Sequence, residues 1–215
     1  IRIFDAFNDA RNLETAMKAT KAAGAHAQGT LVYTISPYHK DSDYLKLAKE
    51  LVEMGADSIC IKDMSGLLAP YACSSLVEAL KKEINIPIDV HSHCTSGMAS
   101  MALLKGIEAG ADIVDRALSP FAETTSHPCT ESLVYTLKGT PRDTGIDMDK
   151  LGPIADHFKK VRADLVKTFN LPSNISINPK VLSFQIPGGM LSNMLNQLTQ
   201  MGMADKYEEV LKEVP

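Results

Sequence analysis

Ser58-Ile59-Cys60-Ile61-Lys62-Asp63-Met64 and Ile88-Asp89-Val90-His91-Ser92-His93 are the two stretches that decide the fold. Both read as short strands that end in polar residues. Alternate residues of a strand face opposite sides. In the first stretch Ser58, Cys60 and Lys62 share one face, and Ile59 and Ile61 the other. In the second, Asp89, His91 and His93 share a face opposite Ile88 and Val90. A strand in an open, doubly wound sheet is covered by helices on both sides and is apolar on both. One apolar and one polar face suit a (β/α)8 barrel, whose strands turn outward to helices and inward to a site at their C-terminal ends.

Working outward, five strand-like segments recur roughly every 25 to 29 residues: Ile1–Phe4, Gly29–Tyr33, Asp57–Ile61, Ile86–Val90 and Asp112–Val114. Amphipathic stretches lie between them. Asp43–Met54 carries Leu45, Leu47, Ala48, Leu51 and Val52 at helical spacing, and another helix is expected from about Met98 to Ala109. Glycines at Gly24, Gly55 and Gly110 mark helix exits, where a left-handed residue is needed. Such repeats build a parallel sheet. Eight strands close a barrel and five are counted, so a TIM barrel lacking about three first strands is expected. After about Gly145 the pattern changes. Leu151–Phe169 and Leu191–Leu211 read as helices, with Asn170–Gly189 a Pro/Asn/Ser/Gly-rich loop between them. Residues 1–145 therefore read as the C-terminal part of a barrel, and 146–215 as a helical appendage.

Composition narrows the function. The chain has 215 residues, 45% of them hydrophobic, which is enough to bury a core. Net charge is −4, from 22 Lys+Arg and 26 Asp+Glu, and no basic cluster suggests nucleic acid. No apolar run approaches the roughly 20 residues of a membrane span. Residue 1 already opens a strand, so no signal peptide is expected. Cys60, Cys73, Cys94 and Cys129 have no CxxC spacing, and reduced thiols in the cytoplasm are expected.

His91 and His93, one residue apart on a strand, point the same way, a common geometry for divalent-metal ligands. The alternative is a pair of partly buried, hydrogen-bonded histidines. Lys62 ends the neighbouring strand on the same face. A protonated lysine cannot ligate a metal, but desolvation lowers its pKa, and carbon dioxide converts the neutral amine to an anionic carbamate. The alternative is a lysine paired with Asp63 or another acid. Thr95, in Cys94-Thr95-Ser96-Gly97, either presents a hydroxyl to substrate or caps the next helix. Nothing supports Cys94 as a nucleophile.

Phe4-Asp5-Ala6-Phe7-Asn8-Asp9, His26-Ala27-Gln28-Gly29-Thr30, Ile61-Lys62-Asp63-Met64, His91-Ser92-His93-Cys94-Thr95-Ser96-Gly97 and Gln185-Ile186-Pro187-Gly188-Gly189-Met190 occur in that order. Together they resemble the carboxyltransferase domain of biotin-dependent enzymes. The closest branch is the oxaloacetate decarboxylase α subunit, beside the transcarboxylase carboxyltransferase subunit and the carboxyltransferase-bearing subunit of pyruvate carboxylase. The resemblance implies a (β/α)8 barrel followed by a helical funnel. It implies zinc, cobalt or manganese held by an Asp, a carbamylated Lys and two His, here Lys62, His91 and His93. It implies Thr95 as the proton shuttle between biotin and the pyruvate enolate, with Asp5 and Met64 at the substrate-binding mouth. Carboxyl transfer between oxaloacetate or pyruvate and biotin on a separate carrier domain follows, in a homodimer that can meet membrane subunits. A metal-dependent aldol or Claisen-type lyase or synthase, or an inactive truncated piece, are the alternatives. The sequence departs from the family in lacking the opening Arg-Asp-x-His-Gln stretch with its Asp ligand, and in having Ser126-His127-Pro128 in place of Ser-Gln-Pro.

Overall fold

A computed structural model describes residues 1–170 and 176–213. Part of the expected loop, residues 171–175, lies outside the described residues. Five strands alternate with helices: β1 (Arg2–Ile3), α1 (Glu14–Ala22), β2 (Gln28–Val32), α2 (Asp41–Glu53), β3 (Ser58–Asp63), α3 (Pro70–Glu83), β4 (Ile88–Ser92), α4 (Ala99–Glu108) and β5 (Ile113–Val114). The sheet is parallel, in the order β1-β2-β3-β4-β5, so every strand lies beside its sequence neighbours. This is the arrangement of a (β/α)8 barrel, of which five strands are present among the described residues.

The registers fix which residues share a face. Thr30 pairs with Cys60, Lys62 with His91 and Asp63 with Ser92. On the outer face Leu31, Ile59, Ile61, Ile88 and Val90 are fully buried against Leu51, Leu76, Val77, Leu80 and Leu103 of the covering helices. Burying each such side chain contributes about 1.5–3 kcal/mol. Packing of α2 on β2 is close: a Cβ on Gly29 would stand 3.0 Å from Leu51 Cβ, so a side chain there would press on α2.

On the inner face, polar side chains link four strands. Arg2 donates from Nε to Gln28 (2.5 Å) and from Nη2 to Asp89 (2.7 Å). Gln28 donates on to Ser58 (3.2 Å) and Asp89 (3.1 Å). The division into an apolar outer and a polar inner face is thus as the alternation of β3 and β4 requires.

Beyond β5 the chain is helical: α5 (Thr130–Leu137), α6 (Met148–Phe169), α7 (Val181–Phe184), α8 (Gly188–Gln200) and α9 (Tyr207–Glu213). Two expectations need correction. The expected loop contains α7, because Val181 and Phe184 find a small core with Leu191 and Leu211. The single helix expected over Leu191–Leu211 is two helices, since Gly202 takes a left-handed φ of 70° and ends the run. No helix of the described residues is long and apolar enough to cross a membrane.

Candidate metal centre

His91, His93 and His127 form one cluster: each offers a ring nitrogen within 4.8 Å of the others. β4 carries His91 near its C-terminal end and His93 just past it. His127 comes from the loop after β5. The sequence pattern brought the first two together; only the fold adds the third.

Each ring is held at Nδ1 by an acceptor. His91 Nδ1 lies 2.6 Å from Asp115 Oδ2, His93 Nδ1 2.7 Å from the Thr125 carbonyl, and His127 Nδ1 3.0 Å from the Ser92 carbonyl. Carbonyls and a carboxylate accept only, so these contacts place the protons on Nδ1 and leave Nε2 with its lone pair. Arg2 Nη1 is 2.8 Å from His91 Nδ1 but has Asp115 Oδ2 at 2.5 Å to receive its proton. Burial, reinforced by the neighbouring imidazoles and opposed by Asp115, pushes the His91 pKa down to about 4. Burial also lowers that of His127. Both rings are neutral near pH 7, the state a metal ligand requires.

The Nε2 atoms of His91 and His93 stand 3.2 Å apart. Two lone pairs facing one another at that separation repel, and a cation between them removes the repulsion. Ligand nitrogens at about 2.0–2.1 Å from a tetrahedral metal stand roughly 3.3 Å apart. Donor type, ring orientation and spacing therefore fit a divalent metal.

Lys62 lies beside His91 in the register of β3 and β4. It is half-buried, its Nζ sits 4.9 Å from the Phe4 ring centroid, and burial lowers its pKa. The alternative pairing with Asp63 is not seen among the described residues. Asp63 is on the opposite face, fully buried, and accepts from Leu67 N, Leu68 N, Ser65 N and Ser92 Oγ. Thr95 does not cap α4, which has Met98 at its N-cap; Ser96 Oγ takes the nearby Met98 N–H instead. The Thr95 hydroxyl is buried with no hydrogen-bond partner among the described residues. An unpartnered buried hydroxyl costs about 1–3 kcal/mol, so a polar group of a ligand has a place there.

Asp5 is not brought to the histidines. Its carboxylate accepts from Phe7 N, Asp9 N and Asn12 Nδ2 and so holds the loop after β1. Met64 is half-buried just past the end of β3. Sequence reasoning missed Arg2 and Asp115. Their signals are strand position: Arg2 opens β1 on the inner face, and Asp115 directly follows β5. Burial and Asp115 raise Asp89 to about 6 against the pull of Arg2. Burial would raise Asp115 as well, but hydrogen bonds from His91 and Arg2 outweigh it and hold the group well below the usual range.

The model for the HMGL-like family matches residues 8–157. The chain belongs to the HMGL-like family. A second model, described as a conserved carboxylase domain, matches residues 181–215 of this HMGL-like chain. Over 214 residues the chain is 58% identical to a pyruvate carboxylase subunit of Methanocaldococcus jannaschii, covering 100% of itself and 38% of that protein. It is 46% identical over 216 residues to the methylmalonyl-CoA carboxyltransferase 5S subunit of Propionibacterium freudenreichii subsp. shermanii, covering 100% of itself and 42% of that protein. The carboxyl transferase domain of Rhizobium etli pyruvate carboxylase, solved with pyruvate and biocytin, superposes with a TM-score of 0.93 at 31% identity, over 98% of this chain and 36% of that one. The expected resemblance to the carboxyltransferase domain of biotin-dependent enzymes is therefore borne out. The chain spans well under half the length of these relatives.

Proposed function

We propose that the HMGL-like chain supplies strands, metal ligands and proton relay to a carboxyltransferase that moves a carboxyl group between oxaloacetate or pyruvate and biotin on a carrier domain. The observation that carries this reading is the buried Thr95 hydroxyl, without a partner among the described residues, two residues after a histidine pair oriented for a metal. Lys62, as its carbamate, His91 and His93 would hold zinc, cobalt or manganese. When bound, the metal supplies Lewis-acid polarisation of a keto oxygen.

In the decarboxylating direction, the bond between the methylene and carboxyl carbons of oxaloacetate breaks. Its electron pair stays on the three-carbon fragment as pyruvate enolate, and the carboxyl carbon bonds to biotin N1. Thr95 gives its hydroxyl proton to the enolate carbon and takes the proton that leaves N1. A hydroxyl without a competing partner is free to do both. The oxaloacetate decarboxylase α-type direction, an approach past Asp5 and Met64, a homodimer, membrane-subunit partners and a cytoplasmic setting belong to the same proposal. So does the division into barrel (1–145) and helical funnel (146–215). The four cysteines, all free, support the setting.

Segment 176–213 supports the proposed site chemically. Thr34 Oγ1 donates to Gln185 Oε1 (3.5 Å), Ser65 Oγ donates to the Gln185 carbonyl (3.2 Å), and Asn178 N–H donates to the Thr95 carbonyl (2.8 Å). These contacts tie it across the ends of β2, β3 and β4. A Cβ on Gly188 would come within 3.3 Å of Thr95 Oγ1 and 2.7 Å of Thr125 Cγ2, so the start of α8 lies directly over the hydroxyl. Such a cover keeps water from the enolate.

The test is oxaloacetate-dependent carboxylation of biotin by the full-length protein. Thr95→Ala is expected to lower the rate at least ~100-fold, the lower limit for loss of a proton-transfer group, with metal content unchanged and activity partly restored in Thr95→Ser. Lys62→Ala is expected to lose metal and transfer together. Full activity in Thr95→Ala, or full metal and activity in Lys62→Ala, would overturn the assignment of that residue.

A further inference from the structure

We infer that His127 is a third imidazole ligand of the metal centre, beside His91 and His93. The inference deepens the site proposed above and rests on a metal being bound there; the ligand set read from the sequence contains two histidines and no residue beyond β5.

Three observations carry it. First, the rings are packed as one group, with centroids 4.2 Å apart for His91 and His127, 4.6 Å for His93 and His127, and 5.1 Å for His91 and His93. Second, His127 is oriented as its neighbours are. Its Nδ1 is held by the Ser92 carbonyl, which belongs to the residue between the two other histidines, so Nε2 is the free nitrogen. A hydrogen bond that fixes one ring nitrogen and frees the other is the usual outer support of a metal-bound histidine. A histidine with only a packing role needs no such match.

Third, the loop that delivers His127 is held in a costly conformation. Glu123 and Thr124 have φ of 69° and 56°, two successive non-glycine residues in the left-handed region. Each costs of order 1–3 kcal/mol and persists only where the surroundings enforce it. Here they do: Glu123 N–H donates to the His127 carbonyl (2.8 Å), Ser126 N–H to the Glu123 carbonyl (2.9 Å), and Cys94 N–H to the Ser126 carbonyl (2.8 Å). The same turn supplies the Thr125 carbonyl that orients His93. One strained turn thus sets two of the three imidazoles.

A third neutral nitrogen donor changes the metal preference. Imidazole favours zinc and cobalt, whereas oxygen donors suit manganese and magnesium. His127 therefore biases the site toward the later ions of the first row.

The test uses the full-length protein, stripped of metal and reloaded with Co2+ alone. X-ray absorption at the cobalt edge counts bound imidazoles, and a Co2+ titration gives Kd. The wild type is expected to show three imidazoles. His127→Gln, whose amide cannot be counted as imidazole, is expected to show two, with Kd raised at least ~10-fold, no less than the loss caused by removing an outer support. Circular dichroism checks that the variant folds; should it not fold, the wild-type count alone decides between three and two. Co2+ held by two imidazoles in the wild type overturns the inference and leaves the proposed metal site standing. Wild type that binds no Co2+ overturns both.

Discussion

The five strands with α1–α4 and the helices beyond β5 are built differently, although they meet at one site. The strand–helix part has a continuous core running from Ile3 to Ala111. Among the described residues the later helices form small clusters, Val181 with Phe184, Leu191 and Leu211, and Leu133 with Leu137 against Ile107 of α4. The long helix α6 buries no residue fully. The difference teaches that the strand–helix region is held by its own dense core, whereas the later helices depend on small clusters and a few polar contacts. His91 stands on β4 inside a dense core and His93 just past its end, while His127 is delivered by the loop after β5. Segment 176–213 rests on the strand ends through a few polar contacts of Gln185 and Asn178.

The largest expected effect tests the rigid side of this contrast. Asp63→Ala removes the acceptor for three backbone N–H groups just past β3 and for Ser92 Oγ at the end of β4. Each buried donor left unpaired costs about 1–3 kcal/mol, so a loss of at least ~3 kcal/mol is expected in urea unfolding. A loss below ~1 kcal/mol would show that the strand ends are not held in this way.

The next prediction compares the two cores directly. Ile61→Ala empties a fully buried position and is expected to cost about 2–5 kcal/mol. Leu191→Ala, in the small cluster, is expected to cost less than ~2 kcal/mol because its partly exposed neighbours can close the gap. Equal losses, measured by thermal unfolding of the same protein, would mean that the two regions share one core and the contrast is wrong.

The smallest effect concerns pH. Lys21, at 2.6 Å, and the Ala27 N–H hold the Asp57 carboxyl below its usual value. A depressed pKa contributes stability that is present above the unfolded value of about 3.9 and lost as pH falls through the lower folded value. Asp57→Asn is therefore expected to be less stable than wild type near pH 7 and to show a shallower loss of Tm between about pH 4 and pH 2. A parallel pair of Tm curves would remove this bond from the account of how α1 and β2 are tied to β3.

Much of this was legible without coordinates because strand alternation is a local rule. Ser58, Cys60, Lys62 and Asp89, His91, His93 fall on one face whatever surrounds them, and spacing alone makes β3 and β4 neighbours. Local rules failed where long-range contacts decide. Nothing local marks Val181–Phe184 as a helix, since its stability comes from Leu191 and Leu211.

The amino-acid sequence by itself determined a parallel barrel segment, its polar inner face and the pair His91 and His93, because periodicity dictates which side chains point together. Only the tertiary structure decided that Asp115 and Thr125 would turn those two rings, that Thr95 would be left without a partner, and that His127 would join them from 34 residues further along the chain. Those outcomes depend on how distant loops close over the strand ends, and no pattern of neighbouring residues encodes that closure.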